Sequence, residues 1–411
     1  MEDNASAVEP AMIVAKDDGE VVTMMEPLLV RESARRRDKL ADLALELTAA
    51  STGLRKSLPD GIAKALSDLV RSMNCYYNNL IEGHDTHPVD IERALNEDYS
   101  NDPKKRDLQL EAKAHITVQK WIDEKGLGGR ATSTNSILEI HRRFCRLLPE
   151  DLLWVENPDS KERIRIIPGE LRQRYVKVGR HVPVSPGAVP RFMQRFEEGY
   201  AAFGKVDTII ASACAHHRLL WMHPFLDGNG RVARLMSYAI LLEALDTGGL
   251  WSIARGLARN ETAYKAHLAA CDLPRRNDLD GRGNLSEESL AEFAEFFLEA
   301  CVDQVKFMDG LMQPERLRGR IMIWAEEEMR AGALPQKSGT VLDAVLFRGE
   351  LPRGEVANLL GASERNARRL TSALVDRGVL TSESTRAPLR LAFPAALASR
   401  WMPGLFPEKT D

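Results

Sequence analysis

Apolar residues recur at steps of three and four between Ser33 and Ile81, in runs such as LADLALELTAA and IAKALSDLVRSM. That period marks amphipathic helices, and LPDG at 58–61 interrupts it, so two helices are predicted. The same period returns in LQLEAKAHITVQKWIDEK and SILEIHRRFCRLL, where Ser136 and Glu139 have the spacing of a capping box. It returns again in PRFMQRFEEGYAAF, DTIIASACAHHRLLWM, NGRVARLMSYAILLEALD, near 261–271 and over 286–331. Between 161 and 185 the pattern changes. β-Branched residues, Arg and turn formers predict a short hairpin with strands near Ile164–Ile167 and Tyr175–Val178. A break falls at 330–339. Beyond it the pattern reads helix, helix, turn, helix and two short strands, the proportions of a winged helix-turn-helix. Gly361 falls at the turn and Ser363 at the cap of the second helix of that pair. The expected fold is mainly α, a helical domain with a short β-hairpin flap, an N-terminal helical segment and a small α+β winged-helix domain. The expected divisions are a flexible 1–30, a helical region 31–106, a central domain 107–331 and a C-terminal domain 338–411.

Composition narrows the class. The chain has 411 residues, 44% hydrophobic and 28% charged, as in ordinary globular proteins. A net charge of −4 gives no global field toward nucleic acid or membrane. The five Cys are scattered without a CxxC pair, so a reducing compartment with buried thiols is expected. The acidic N-terminus does not read as a signal peptide, and no apolar run reaches transmembrane length. A cytoplasmic protein with no membrane partner is the expectation.

The densest chemistry lies in HPFLDGNGRVAR, residues 223–234. Pro224 disfavours helix at His223 and calls for a turn. Phe225 and Leu226 can anchor the loop in the core. Gly228-Asn229-Gly230 permits positive φ at one or more positions, and a helix is predicted to begin near Asn229. A helix N-terminus binds anions through its unpaired N–H groups and its dipole. Arg231 and Arg234, one turn apart, can face the same anion. Asp227 suits Mg2+ bridged to phosphate oxygens, and His223 is the group able to take a proton near pH 7. A plain Gly-Asn-Gly turn that starts a helix is the alternative. His216, His217 and His223 do not read as a metal set, because adjacent histidines on a helix point apart.

These twelve residues resemble the signature of the Fic (Fido) family, HPFx[D/E]GNGRxxR, and every fixed position matches. The resemblance extends over about 70–330. It implies transfer of AMP from ATP, with Mg2+, to a Ser, Thr or Tyr hydroxyl of a target protein or of the chain itself. It implies that His223 is the base and that Asp227 holds Mg2+. Gly228, Asn229 and Gly230 would form the anion hole, with the Asn229 side chain on the α-phosphate. Arg231 would bind the inner phosphates and Arg234 the γ-phosphate. The stretch Val176-Lys177-Val178-Gly179 resembles the family's flap, which pairs with a target segment as an added strand. Asn260 and Tyr264 match a helix that borders the adenine, although Asn260 also suits a helix cap.

NNLIEGH, 78–84, resembles the family's inhibitory motif [S/T]xxxE[G/N], with Asn78 standing at the Ser/Thr position and Glu82 and Gly83 in place. The resemblance implies that Glu82 pairs with Arg234 and keeps ATP from aligning for attack. Removal of AMP by the same site stands as an alternative. So does a DNA-binding regulator whose nucleotide site is a sensor, as does another phosphate transfer such as phosphorylation or phosphocholination. Residues 350–390 hold seven Arg against five Asp or Glu, with Arg365, Arg368 and Arg369 on the expected recognition helix. DNA binding, protein docking and homodimerisation all stay open for that domain.

Overall fold

The computed structural model describes residues 15–156 and 161–407. Helices dominate. In chain order they are α1 (Arg37–Ser57), α2 (Asp60–Ile81), α3 (Pro88–Leu95), α4 (Pro103–Asp123) and α5 (Thr134–Arg146). The strands β1 (Trp154–Glu156) and β2 (Arg163–Arg165) follow, then α6 (Val189–Gly199), α7 (Lys205–Met222) and α8 (Asn229–Leu245). After these come α9 (Ala254–Arg259), α10 (Glu261–Cys271), α11 (Glu287–Met312) and α12 (Pro314–Arg330). The C-terminal part holds α13 (Ser338–Arg348), α14 (Val356–Leu360), α15 (Glu364–Asp376), β3 (Leu380–Thr381), β4 (Arg390–Leu391) and α16 (Ala398–Trp401).

α7 and α8 form the centre, and their residues are buried almost all round. A helix apolar on every face belongs in a core, and this pair is enclosed by α1, α4, α5 and α11. α2 is amphipathic and lays its apolar face on α4 and α9, which brings its C-terminal end to the start of α8. Leu58-Pro59 separates α1 from α2, as LPDG predicted. α3 is short, with Pro88 at its first position and His87 as cap, and the periodicity did not single it out.

Three local expectations are corrected. The hairpin pairs Trp154 with Arg165 and Glu156 with Arg163, not 164–167 with 175–178. The Tyr175–Val178 stretch instead leads into a separate tight turn, where Val178 and His181 exchange backbone hydrogen bonds of 3.0 Å around Gly179-Arg180. Helix α5 is capped by Ser133, whose Oγ accepts from the Ser136 N–H at 3.2 Å, so Ser136 lies inside the first turn and no capping box forms. The expected flexible N-terminus is a strap from residue 15 on; residues 1–14 lie outside the described residues. Met25, Leu28 and Val30 are buried. Lys16 C=O accepts from Gly187 N–H at 2.8 Å, and Glu20 takes both the N–H and the hydroxyl of Ser185 at 2.6 Å. Polar residues of the strap tie it down.

One contiguous core runs from Met25 to Leu405, so the C-terminal helices share it with the central domain. Tyr77 Oη donates to Leu405 C=O at 2.9 Å, and Arg255 Nη2 donates to Gly404 C=O at 2.9 Å. The C-terminal chain thus closes onto α2, the helix that ends at Glu82. No helix among the described residues is long and apolar enough to cross a membrane.

Candidate active site

The loop 223–228 joins the two central helices. α7 ends at Met222, and His223 takes left-handed backbone angles (φ 52°, ψ 65°) that are unusual for a residue with a Cβ. Arg172 holds it there. This buried guanidinium donates from Nε to His223 C=O at 2.7 Å, and its own N–H donates to Pro224 C=O at 2.9 Å. Phe225 is fully buried and stacks on His141 with centroids 3.9 Å apart. Gly169 N–H donates to His141 Nδ1 at 2.9 Å, which leaves the imidazole proton on Nε2. Neither Arg172 nor His141 has a signal in the sequence, since each lies far along the chain from the loop it braces.

Gly228 turns the chain into α8 with φ 81°. The Asn229 side chain clasps the loop, its Oδ1 accepting from Phe225 N–H and its Nδ2 donating to Phe225 C=O, both at 2.9 Å. The Asn229 amide braces the loop in this structure, because Phe225 offers both a donor and an acceptor at the right separation. The first N–H groups of α8 are left to bind an anion. Asp227 is exposed at the mouth of this cradle.

His223 is partly buried. Burial and the nearby Arg172 push its pKa down to about 4, so the imidazole is neutral near pH 7 and free to accept a proton.

Both motif arginines are buried and both meet carboxylates. Arg234 donates from Nη2 to Glu82 and from Nε to Asn78 Oδ1. Asn78 Nδ2 in turn donates to Asn74 C=O at 2.7 Å. So the Asn at the motif's Ser/Thr position serves the contact, presenting an acceptor to the same guanidinium. Burial works against the charge on Glu82, but Arg234 and Arg231 outweigh it and hold its carboxyl below the usual range. α2 ends cleanly beneath it. Gly83 has φ 84°, and His84 N–H reaches back to Asn79 C=O at 2.8 Å, a Schellman closure. The Glu82 carboxylate lies against the cradle itself, since a Cβ on Gly230 would come within 2.6 Å of its Oε1.

The remaining expected residues are less uniform in placement. Tyr264 is buried, and its Oη lies 2.7 Å from His216 Nε2 and beside Arg234. His216 is also bound to Ser237 Oγ at 2.9 Å, and His217 to Asp272 at 3.0 Å. Asn260 is exposed at the junction of α9 and α10, where its Nδ2 donates to Gly256 C=O at 2.9 Å. Lys177, Val178 and Gly179 are exposed and Val176 is half-buried. Sequence reasoning missed Glu111, which engages Arg231, and His84, which engages Glu111.

Fold and site together define a mainly helical protein with an anion cradle at the start of a buried helix, a neutral histidine beside it and an acidic residue across it. The Fic/DOC family model matches residues 131–241, which include the whole loop and most of α8. Among curated proteins, the chain is 29% identical over 224 residues to the protein adenylyltransferase Fic of Drosophila willistoni, covering 52% of this chain and 42% of that one. It is 30% identical over 171 residues to that of Drosophila grimshawi, covering 41% and 32%. The chain thus spans well under half the length of these relatives. A Fic family protein from Desulfovibrio desulfuricans superposes with a TM-score of 0.49 at 16% identity, covering 85% of this chain and 96% of that one.

Proposed function

We propose that this protein transfers AMP from ATP to a Ser, Thr or Tyr hydroxyl of a protein, itself included, and that Glu82 restrains the reaction. The observation that carries the reading is the cradle at the start of α8, with His223 at its edge and Arg231 and Arg234 on its wall. The match to the Fic/DOC family model over residues 131–241 and the printed activity of the relatives it resembles support the same chemistry. His223 takes the proton of the target hydroxyl as that oxygen bonds to the α-phosphorus. The bond from the α-phosphorus to the bridging oxygen breaks, and pyrophosphate leaves. Fixed N–H donors at the α8 N-terminus meet the charge that develops on the phosphate oxygens. Asp227 fits a Mg2+ site, because an exposed carboxylate beside a phosphate cradle is what that ion needs when substrate oxygens and water complete its shell. When bound there, Mg2+ would neutralise phosphate charge. The turn Val176–Gly179, exposed from Lys177 onward, is the surface for an added strand of the target.

Glu82 competes with the γ-phosphate for Arg234. One guanidinium edge cannot serve two anions in the same fork, and misalignment of the α-phosphate removes much of the rate. The test is protein labelling from α-labelled and γ-labelled ATP. Glu82→Gly is expected to raise labelling from α-labelled ATP at least tenfold, and adding His223→Ala to lower it by about 10²–10⁴-fold. Label arriving from the γ-position, or equal labelling of wild type and Glu82→Gly, overturns the reading.

A second reading attaches to the C-terminal module. Arg365, Arg368 and Arg369 are all exposed on α15, the helix after the Gly361 turn. A salt-sensitive shift of duplex DNA by the full chain supports DNA binding, with the three arginines changed to Gln as the control.

A further inference from the structure

Arg231 and Arg234 stand one turn apart on α8, yet they are held differently. Arg234 has two guanidinium nitrogens engaged by the end of α2. Arg231 is held from α4. Its Nη2 donates to Glu111 Oε1, and its guanidinium carbon lies 5.3 Å from the centroid of the Phe144 ring. Its Nε is buried and has no partner among the described residues. Glu111 is itself 5% exposed, and its Oε2 lies 2.8 Å from His84 Nδ1. His84 is two residues past Glu82, on the turn that closes α2.

A buried ion pair recovers its desolvation only with further hydrogen bonds. Arg231 has been given an anchor on one nitrogen and a ring against its face, while a second, buried donor has no acceptor among the described residues. A buried donor without an acceptor costs about 1–3 kcal/mol and points to a missing partner. The partner that the surrounding donors select is an anionic oxygen. Resting on the reading of the α8 N-terminus as the phosphate site of ATP, we infer that Glu111 is a positioning residue for Arg231. It fixes the guanidinium at the start of α8, where Arg231 is to meet an inner-phosphate oxygen of a nucleoside polyphosphate. Glu111 therefore belongs to the binding machinery, whereas Glu82 belongs to the restraint. His84 joins the two by tying the inhibitory turn to the Glu111 carboxylate.

The test is direct binding of ATP and of adenosine to the full chain carrying Glu82→Gly. Adding Glu111→Gln is expected to weaken ATP about tenfold and to leave adenosine unchanged. Glu111→Asp, which keeps the charge, is expected to recover most of the loss, and it carries the test should the Gln variant fail to fold. In an Arg231→Lys background Glu111→Gln is expected to add little, the mark of a residue acting through Arg231. Unchanged ATP affinity overturns the inference, as does an equal loss of ATP and adenosine. Labelling by the Glu82→Gly parent without any Glu111 dependence of ATP binding removes this inference alone. Glu111-dependent ATP binding without AMP transfer removes the proposed reaction and leaves the inference standing.

Discussion

His223 has a neutral imidazole because burial and Arg172 disfavour its charged form, and this sets how the proposed reaction should respond to pH. A base works when unprotonated, so a pKa of about 4 moves the acid limb of the rate below the ordinary histidine range. In the Glu82→Gly variant, labelling at low ATP is expected to stay flat from pH 8 to 6 and to fall only below about pH 5. A midpoint near 6.5 would show that His223 titrates as an exposed histidine. Asn78 gives a second expectation at this scale. Asn78→Ala leaves the buried Arg234 Nε without an acceptor, so stability to denaturant should fall by about 1–3 kcal/mol. Basal labelling should rise, though less than in Glu82→Gly, because the carboxylate remains. The residues of the loop were legible because their chemistry is packed into twelve consecutive positions. Arg172 and Glu111 were not, since 51 and 120 positions separate them from the groups they hold. Nothing local marks either as more than a surface charge.

Helix starts and stops were readable wherever the signal is intrinsic to the backbone. Pro224 ends α7, Gly228 opens α8, and Gly83 closes α2. Gly83 allows a clean check, because a Cβ there would meet nothing within 4 Å while φ is 84°. Gly83→Ala should therefore cost only the backbone strain, about 1 kcal/mol, measured by denaturant unfolding. A loss several times larger would mean that the turn tolerates no adjustment at all. Pairing was less readable than position. A short strand carries its two-residue alternation but not the identity of its partner. β-Branched residues in 164–167 and in 175–178 with turn formers between them suggested that the two pair with each other, whereas β2 turns back to Trp154–Glu156. α5 shows the same limit, because two serines three apart both suit a cap and the tertiary contacts decide between them.

The whole molecule is more tightly joined than its composition suggests. The N-terminal strap crosses the base of the 175–181 turn, where Tyr175 Oη donates to Asp18 at 2.7 Å. At the other end, Leu405 and Phe406 reach α2 about one and a half turns before Glu82, with the Tyr76 and Phe406 rings 5.6 Å apart. A flexible 1–30 and a change of pattern near 330 were both expected to set the ends apart. The contacts that join them link residues hundreds of positions apart, and no local pattern encodes them. Tyr77→Phe removes only the hydroxyl bond to Leu405, so global stability should fall by about 1 kcal/mol. If the C-terminal chain were docked loosely, the loss would be too small to measure.

The carboxylate that lies against Gly230 is part of the same chain as the cradle that it is proposed to restrain. Its local concentration at Arg234 is therefore set by the tether and not by the amount of protein, on the order of millimolar or higher for a short connection. Dilution cannot lift such a restraint, and a rise in ATP meets a rival of fixed strength. A binding partner that draws the end of α2 away would act differently, changing the fraction of molecules with an open cradle in proportion to its own occupancy. The protein would then answer to the presence of that partner far more steeply than to the supply of nucleotide.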